Sequence, residues 1–144
     1  MTDSVEPIHL PEYADEYNMP YTAALKVHSG NLVFISGITA APLYHHHPHR
    51  SEEFDAIPAD AGEQARMVME TLQQILHASG CKLEDVVSVT RYIRDVALNQ
   101  DAINRVAGAF LGTHRPTSTT VEVVRMATDP RIKFEMSAVA VAPE

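Results

Sequence analysis

The sequence predicts an α+β fold in which one mixed β-sheet carries two helices on one face. Apolar residues recur at helical intervals at about residues 60–79 and 99–111, and a glycine closes each segment. Strand-like segments surround them, in the order strands, helix, strand, helix and two strands. A chain of 144 residues with 45% hydrophobic content suits one core of this kind, so we expect a single domain over residues 1–144.

The first half of the chain predicts a strand followed by a helix. Residues 32–35 form a continuous apolar run between the turn at Gly30 and the breaker Gly37, and we interpret them as a buried strand. The helix begins at Asp60, because Asp60 and Glu63 have the three-residue spacing of a capping box. It ends before Gly80, because glycine enters the left-handed backbone region without a side-chain penalty.

The second half predicts a strand, a helix and two further strands. Residues 86–93 are rich in β-branched and aromatic side chains, which favours a strand. We expect Asn99 to cap the next helix and Gly112 to close it. Strands at about 118–124 and 133–141 follow, joined by a turn near residues 129–130. Alternate residues of the last strand should face the helices, namely Phe134, Met136, Ala138 and Ala140.

Charge and composition exclude several classes of protein. The 19 acidic and 11 basic residues give a net charge of -8, which repels phosphate backbones, so nucleic acid is not an expected partner. No apolar run approaches the roughly 20 residues of a membrane-spanning helix, so no membrane association is expected. The single cysteine, Cys81, and the lack of a signal-peptide pattern in residues 1–10 predict a cytoplasmic protein.

The predicted sheet face away from the helices carries small and apolar residues, among them Ala23, Val139 and Val141. Water solvates such a face poorly, so we expect it to pack against copies of the same chain. The sequence therefore predicts a cyclic homo-oligomer.

Three segments of the chain resemble one known family. The chain resembles the Rid (YjgF-like) family from about residue 20 to residue 141, in the segments Gly30-Asn31 to Ser36-Gly37, Pro58-Ala59-Asp60 to Gly80, and Val121-Glu122-Val123 to Glu135. The resemblance implies a chorismate-mutase-like homotrimer with small-molecule clefts between neighbouring subunits. It also implies hydrolysis of reactive imines or enamines derived from amino acids, with no cofactor and no metal.

The resemblance also implies which residues form the cleft. Glu135 occupies the position of a carboxylate that orients water, and Thr120 and Ser118 are the further catalytic candidates. Four residues are expected to bind substrate, namely Ser36, Gly37, Tyr92 and Asn104. The alternatives are structural, since a glutamate can pair with an arginine at a subunit rim and hydroxyls are common on half-buried strands.

One position departs from the family. In the best-known members an arginine binds the substrate carboxylate, and Ser118 occupies the corresponding position in this chain. A serine cannot supply the two charge-assisted hydrogen bonds of a guanidinium. Arg115, three residues earlier, is our candidate for a replacement cation, and Arg91 and Arg125 are the alternatives.

Residues 41–57 form an insertion that has no counterpart in the family pattern, and four of the residues 45–49 are histidines. We expect this loop near the mouth of the cleft, with Tyr44, His45 and His47 as replacement acid-base or hydrogen-bonding groups. A divalent metal site and a flexible, solvated lid are the alternatives. Adjacent loop histidines seldom converge on one ion, so no metal site is expected.

Three functions remain open from the sequence. The leading hypothesis is a Rid-type hydrolase that acts on an imine, an enamine or a related intermediate. The second is a divergent pathway enzyme on the same trimer, with chemistry such as ring opening, dehydration or deamination of an aminomuconate-like compound. The third is a non-catalytic trimer that binds a metabolite.

Overall fold

The structure is a computed structural model that describes residues 4–12 and 19–144. Within these residues the elements follow the chain as β1 (Val5–Ile8), β2 (Ala24–Val27), β3 (Asn31–Ile38), α1 (Ala61–Ala78), β4 (Val86–Arg94), α2 (Val96–Leu111), β5 (Thr117–Val123) and β6 (Phe134–Ala142). Short 3-10 helices at Ser51–Phe54 and Leu83–Asp85 precede α1 and β4.

The main sheet has four strands in the order β3-β6-β4-β5. β4 and β5 run parallel, whereas β6 pairs antiparallel with both β3 and β4. The predicted mixed sheet is therefore confirmed. β1 and β2 pair antiparallel in a separate two-stranded ladder that the sequence did not predict.

Both helices pack on one face of the main sheet, as predicted. Their apolar side chains, among them Leu72 of α1 and Ile103 of α2, share one core with the sheet. Alternate residues of β6 complete this core and are almost fully buried, namely Phe134, Met136, Ala138 and Ala140. The period-2 pattern of the last strand was therefore a reliable guide to its buried face.

The ends of α1 largely follow the sequence pattern. The Asp60 carboxylate accepts the Glu63 N–H at 2.8 Å, as a helix cap does. The Glu63 carboxylate binds Arg66 rather than completing the predicted capping box. Gly80 follows the helix with a φ of +73°, the left-handed conformation that was expected of it.

The prediction that Asn99 caps α2 is wrong, because the helix begins at Val96. Asn99 is buried in the first turn, where its side-chain amide donates to the Arg94 carbonyl at 2.6 Å. Asp95 precedes the helix with a φ of 52°. The Val96 N–H instead donates to the carboxylate of Glu122 on β5, at 2.9 Å. This cap comes from a distant part of the chain, so local spacing does not reveal it.

The interpretation of residues 32–35 as buried is wrong for the single chain. Phe34 is 76% exposed and Leu32 is 52% exposed on the face of the sheet away from the helices. Ile35 and Ile38 of the same strand are buried, because they face the helices. β3 is thus apolar on both faces but covered on only one.

The N-terminal ladder covers part of this second face. Val141 of β6 is buried in a small cluster with Val5 of β1, and Val139 packs against them. Ala23 lies just before β2, outside the main sheet. Of the residues expected to face a partner copy, Val141 is therefore covered within the chain itself.

The histidine-rich loop contains a core of its own. Phe54 is 1% exposed and packs with Ile57 and Ile132. Arg131, which lies outside the loop in sequence, stabilises it by donating to the Asp55 carboxylate at 2.8 Å and to the Ser51 carbonyl at 2.8 Å. The loop is therefore more than a solvated lid. None of the helices in the described segments is long and apolar enough to cross a membrane.

Candidate functional site

A cavity of about 340 Å³ opens between α2 and the strands β4 and β5. Four residues that the sequence assigned to the site border it, namely Asn104, Arg115, Ser118 and Thr120. Arg91 borders it as well, together with Tyr21 and Gln100, two residues that the sequence did not single out. The structure thus places Asn104, Arg115, Ser118 and Thr120, about half of the predicted site, around one cavity.

The strand register explains this grouping. β4 and β5 pair Val89 with Ser118 and Arg91 with Thr120. Paired residues point to the same face of a sheet, and Val89 packs in the core under the helices. Arg91, Ser118 and Thr120 therefore face the helix layer, and Asn104 meets them from α2.

Arg91 provides a cation at the wall of the cavity. Its Nη2 donates to Asn104 Oδ1 at 2.6 Å, and its guanidinium carbon lies 5.6 Å from the centre of the Phe134 ring. Its Nε is buried without a hydrogen-bond partner. Burial lowers the pKa of Arg91, because removal from water disfavours the charged form.

Arg115 borders the same cavity but has other partners. Its Nη1 donates to the carbonyl oxygens of Gly112 at 2.6 Å and His114 at 3.1 Å, just beyond the end of α2. One signal in the sequence favours Arg91 over Arg115 as the partly buried cation of this cavity. Arg91 alternates with Val89 and Ile93 on β4, so it places a charge in a row of buried side chains.

Glu135 lies on the other face of the sheet. The register pairs it with Tyr92, and both point away from the helices. A Cβ on Gly37 would lie 3.0 Å from the Glu135 carboxyl carbon, so this carboxylate rests against bare backbone. The exposed Ser36 adjoins this point, where β3 has a register shift. The second half of the predicted site is therefore separated from the cavity by the thickness of the sheet.

The loop candidates lie apart from the cavity. The Tyr44 ring packs 5.2 Å from the His47 ring and 5.3 Å from the Phe54 ring. The backbone N–H of His45 donates to the Glu53 carboxylate at 3.1 Å. This hydrogen bond, together with one between the His46 imidazole and the same carboxylate, lowers the pKa of Glu53 to about 2. Within residues 4–12 and 19–144, no three His, Cys, Asp or Glu side chains are grouped so that they could hold a metal ion.

One comparison decides the family, and a second one shows the fold. The sequence profile described as Endoribonuclease L-PSP matches residues 14–142. The Rid family protein YyfB from Yersinia pestis has the same fold, with a TM-score of 0.75 over 96% of this chain and 98% of that chain at 19% identity. This chain belongs to the Rid family. Its α+β fold, with two helices on a mixed sheet, is the fold of that family.

Curated relatives of this Rid protein support the same assignment. A RutC family protein of Pyrococcus abyssi is 35% identical over 122 residues, which cover 84% of this chain and 85% of that protein. An Escherichia coli protein named 2-iminobutanoate/2-iminopropanoate deaminase is 32% identical over 126 residues, covering 85% and 87%. A Rid-type function on small molecules follows for this chain.

Proposed function

We propose that this Rid protein hydrolyses an imine or enamine derived from an amino acid, in clefts between the subunits of a homotrimer. The observation that carries the proposal is the place of Glu135. Its carboxylate rests against Gly37, where no side chain of the chain intervenes, beside the exposed Ser36. The similarity to a protein named as an imine deaminase supports the reaction class.

The reaction needs one water and no oxidant or reductant. Water adds to the carbon of the C=N bond while Glu135 accepts a proton from it, and the nitrogen takes a proton from the solvent. The carbinolamine hydroxyl then loses its proton to the solvent as the C=O bond forms and the C–N bond breaks, and Glu135 returns its proton to the departing nitrogen. One imine and one water thus become one carbonyl compound and one ammonia.

The site is completed by a second copy of the chain in this proposal. Within one chain, Glu135 and the cavity bordered by Ser118 and Thr120 face opposite sides of the sheet. The face with Glu135 also exposes Phe34 and Leu32, which a neighbouring subunit would remove from water. A cyclic trimer gives every subunit one neighbour for each face, so each cleft combines the two halves.

The histidine-rich loop, residues 41–57, borders the same cleft in this arrangement. Tyr92, the register partner of Glu135, packs against the loop core that contains Tyr44. His45 and His47 are exposed on that loop. We therefore propose that Tyr44, His45 and His47 shape the entrance on the Glu135 side, as the insertion's position in the sequence led us to expect.

The test is hydrolysis of 2-aminoacrylate generated in situ, followed with and without the protein. The protein should accelerate the loss of the enamine, and Glu135→Gln should abolish the acceleration. Glu70→Gln is the matched control, because Glu70 pairs with Arg66 on the exposed side of α1. Acceleration that survives in Glu135→Gln would remove this carboxylate from the mechanism.

A different reaction on the same trimer is the second candidate, and Ser118 favours it, because the guanidinium of the best-known members is absent at that position. It predicts no acceleration with 2-aminoacrylate but a turnover of another small molecule that Glu135→Gln abolishes. A non-catalytic trimer would instead bind a metabolite with no turnover.

A further inference from the structure

Arg91 is a partly buried cation, and no carboxylate of residues 4–12 and 19–144 forms an ion pair with it. Ion pairs of the described residues involve Arg66, Arg94 and Arg131, but Arg91 takes part in none of them. Its Nε is shielded from water and has no acceptor. A partly buried charged group with an unpaired donor is costly, so an acceptor that reaches the Arg91 guanidinium from the cavity would be stabilised there.

The polar groups around Arg91 are arranged as donors. The Asn104 amide oxygen already accepts from Arg91, so the group that this amide can still offer a ligand at the cavity border is its NH₂ donor. The hydroxyls of Ser118 and Thr120 border the same space. No acidic side chain among the described residues lines the cavity. As far as the described residues line it, the cavity therefore combines a cation with several donors and is complementary to a small anion.

The apolar part of the lining favours an organic anion over a free inorganic one. Pro20, Ala107 and Leu111 form one wall of the cavity, and its volume of about 340 Å³ exceeds that of a single ion. Such a wall packs against a short hydrocarbon chain while Arg91 binds the charged end.

We infer that Arg91 binds the carboxylate of the substrate, with Asn104, Ser118 and Thr120 as the surrounding donors. The guanidinium comes from β4 rather than from β5, and the small side chain at Ser118 leaves room for it. The inference rests on the proposed function for the identity of the ligand, a 2-oxo or 2-imino acid. It assigns to Arg91 the role for which the sequence had favoured Arg115.

The test measures binding of 2-oxobutanoate, the product expected from 2-iminobutanoate, by calorimetry. The uncharged 2-oxobutanamide is the comparison ligand, because it keeps the shape and lacks the charge. The wild-type protein should prefer the carboxylate, and Arg91→Met should weaken its binding about ten- to hundredfold without changing the binding of the amide. Arg91→Lys keeps the charge but loses the planar guanidinium with its paired N–H donors, so it should give an intermediate affinity.

Two control variants separate this role from a general effect of charge. Arg105→Met removes an exposed arginine next to Asn104 that does not border the cavity, and it should bind 2-oxobutanoate as the wild type does. Arg115→Met should change the affinity less than threefold. Inorganic phosphate should not compete with 2-oxobutanoate at equal concentration.

Some outcomes would overturn the inference. Unchanged binding in both Arg91→Met and Arg91→Lys would do so, as would a loss of binding in Arg115→Met alone. The double variant Arg91→Met with Ser118→Arg provides a gain-of-function check, since an arginine on β5 reaches the same cavity and should recover the preference for the carboxylate. A wild-type protein that binds 2-oxobutanoate through Arg91 but never hydrolyses an imine would refute the proposed function and leave this site standing.

Discussion

The exposed apolar face of the sheet provides the sharpest test of the assembly. Phe34 sits on that face with 76% of its surface exposed. A phenylalanine buries about 200 Å² in a core, so a neighbouring subunit can remove about 150 Å² of this residue from water. At about 25 cal/mol per Å², this amounts to about 4 kcal/mol per subunit. Phe34→Asp removes that contribution and places a charge in the contact, so we expect it to dissociate the homotrimer.

The assay is light scattering coupled to gel filtration. The wild type should have three times the 15.9 kDa mass of one chain, and Phe34→Asp should have a lower mass. Gln74→Asp is the control, because Gln74 is exposed on α1, which borders neither that face nor the cavity. A Phe34→Asp protein that keeps the trimer mass, or a wild type that is monomeric, would refute the reasoning. Equal dissociation by both substitutions would show that the sheet face is not the contact.

Three further predictions concern the loop and the shared cleft. Phe54→Ala empties the core of the histidine-rich loop and should lower the free energy of unfolding by about 3–5 kcal/mol in denaturant titration, whereas a loss below about 1 kcal/mol would contradict the packing. The carboxylate of Glu53 has a lowered pKa, so its contact with the His45 N–H is complete above its ordinary value of 4.5 and is lost as the pH falls towards about 2. The His45 amide resonance should report this transition, and Glu53→Gln should remove it. Finally, inactive Glu135→Gln and Arg91→Met proteins that are unfolded and reassembled together in equal amounts should regain about a quarter of wild-type turnover, because each cleft takes one residue from each neighbour. No recovery would show that the two residues do not act in one shared cleft.

The elements of the fold were predictable where the signal is local. The apolar spacing and Asp60 set the start of α1, and a glycine at residue 80 set its end, because helix termination depends on the residue at that place. The start of α2 was mispredicted for the opposite reason. Its first N–H group is capped by Glu122, which lies 26 residues away and reaches it only through the sheet.

The sequence predicted part of the grouping of the candidate residues, and their role as a site stays a prediction. Ser118, Thr120 and Asn104 do share a cavity, because strand alternation and helix position bring them to one side. Alternation along the last strand predicted that Glu135 faces away from the helices, and the register places it there, on the sheet face opposite Ser118 and Thr120. Arg115 was preferred as the cation from its nearness in sequence, which does not show that its side chain donates to carbonyls beyond α2.

The sequence by itself determined the α+β class, the order of the helices and main-sheet strands, and the family, since these depend on local periodicity, on glycines and on motif spacing. Only the tertiary structure decided which polar residues of different strands meet on one face of the sheet, because that depends on the register of strands distant in the chain. The same register sets the Arg91 guanidinium beside Ser118 and Thr120, and it leaves Phe34 uncovered on the opposite face. Burial and pairing of charge are properties of the folded chain, and they distinguish Arg91 from the other arginines.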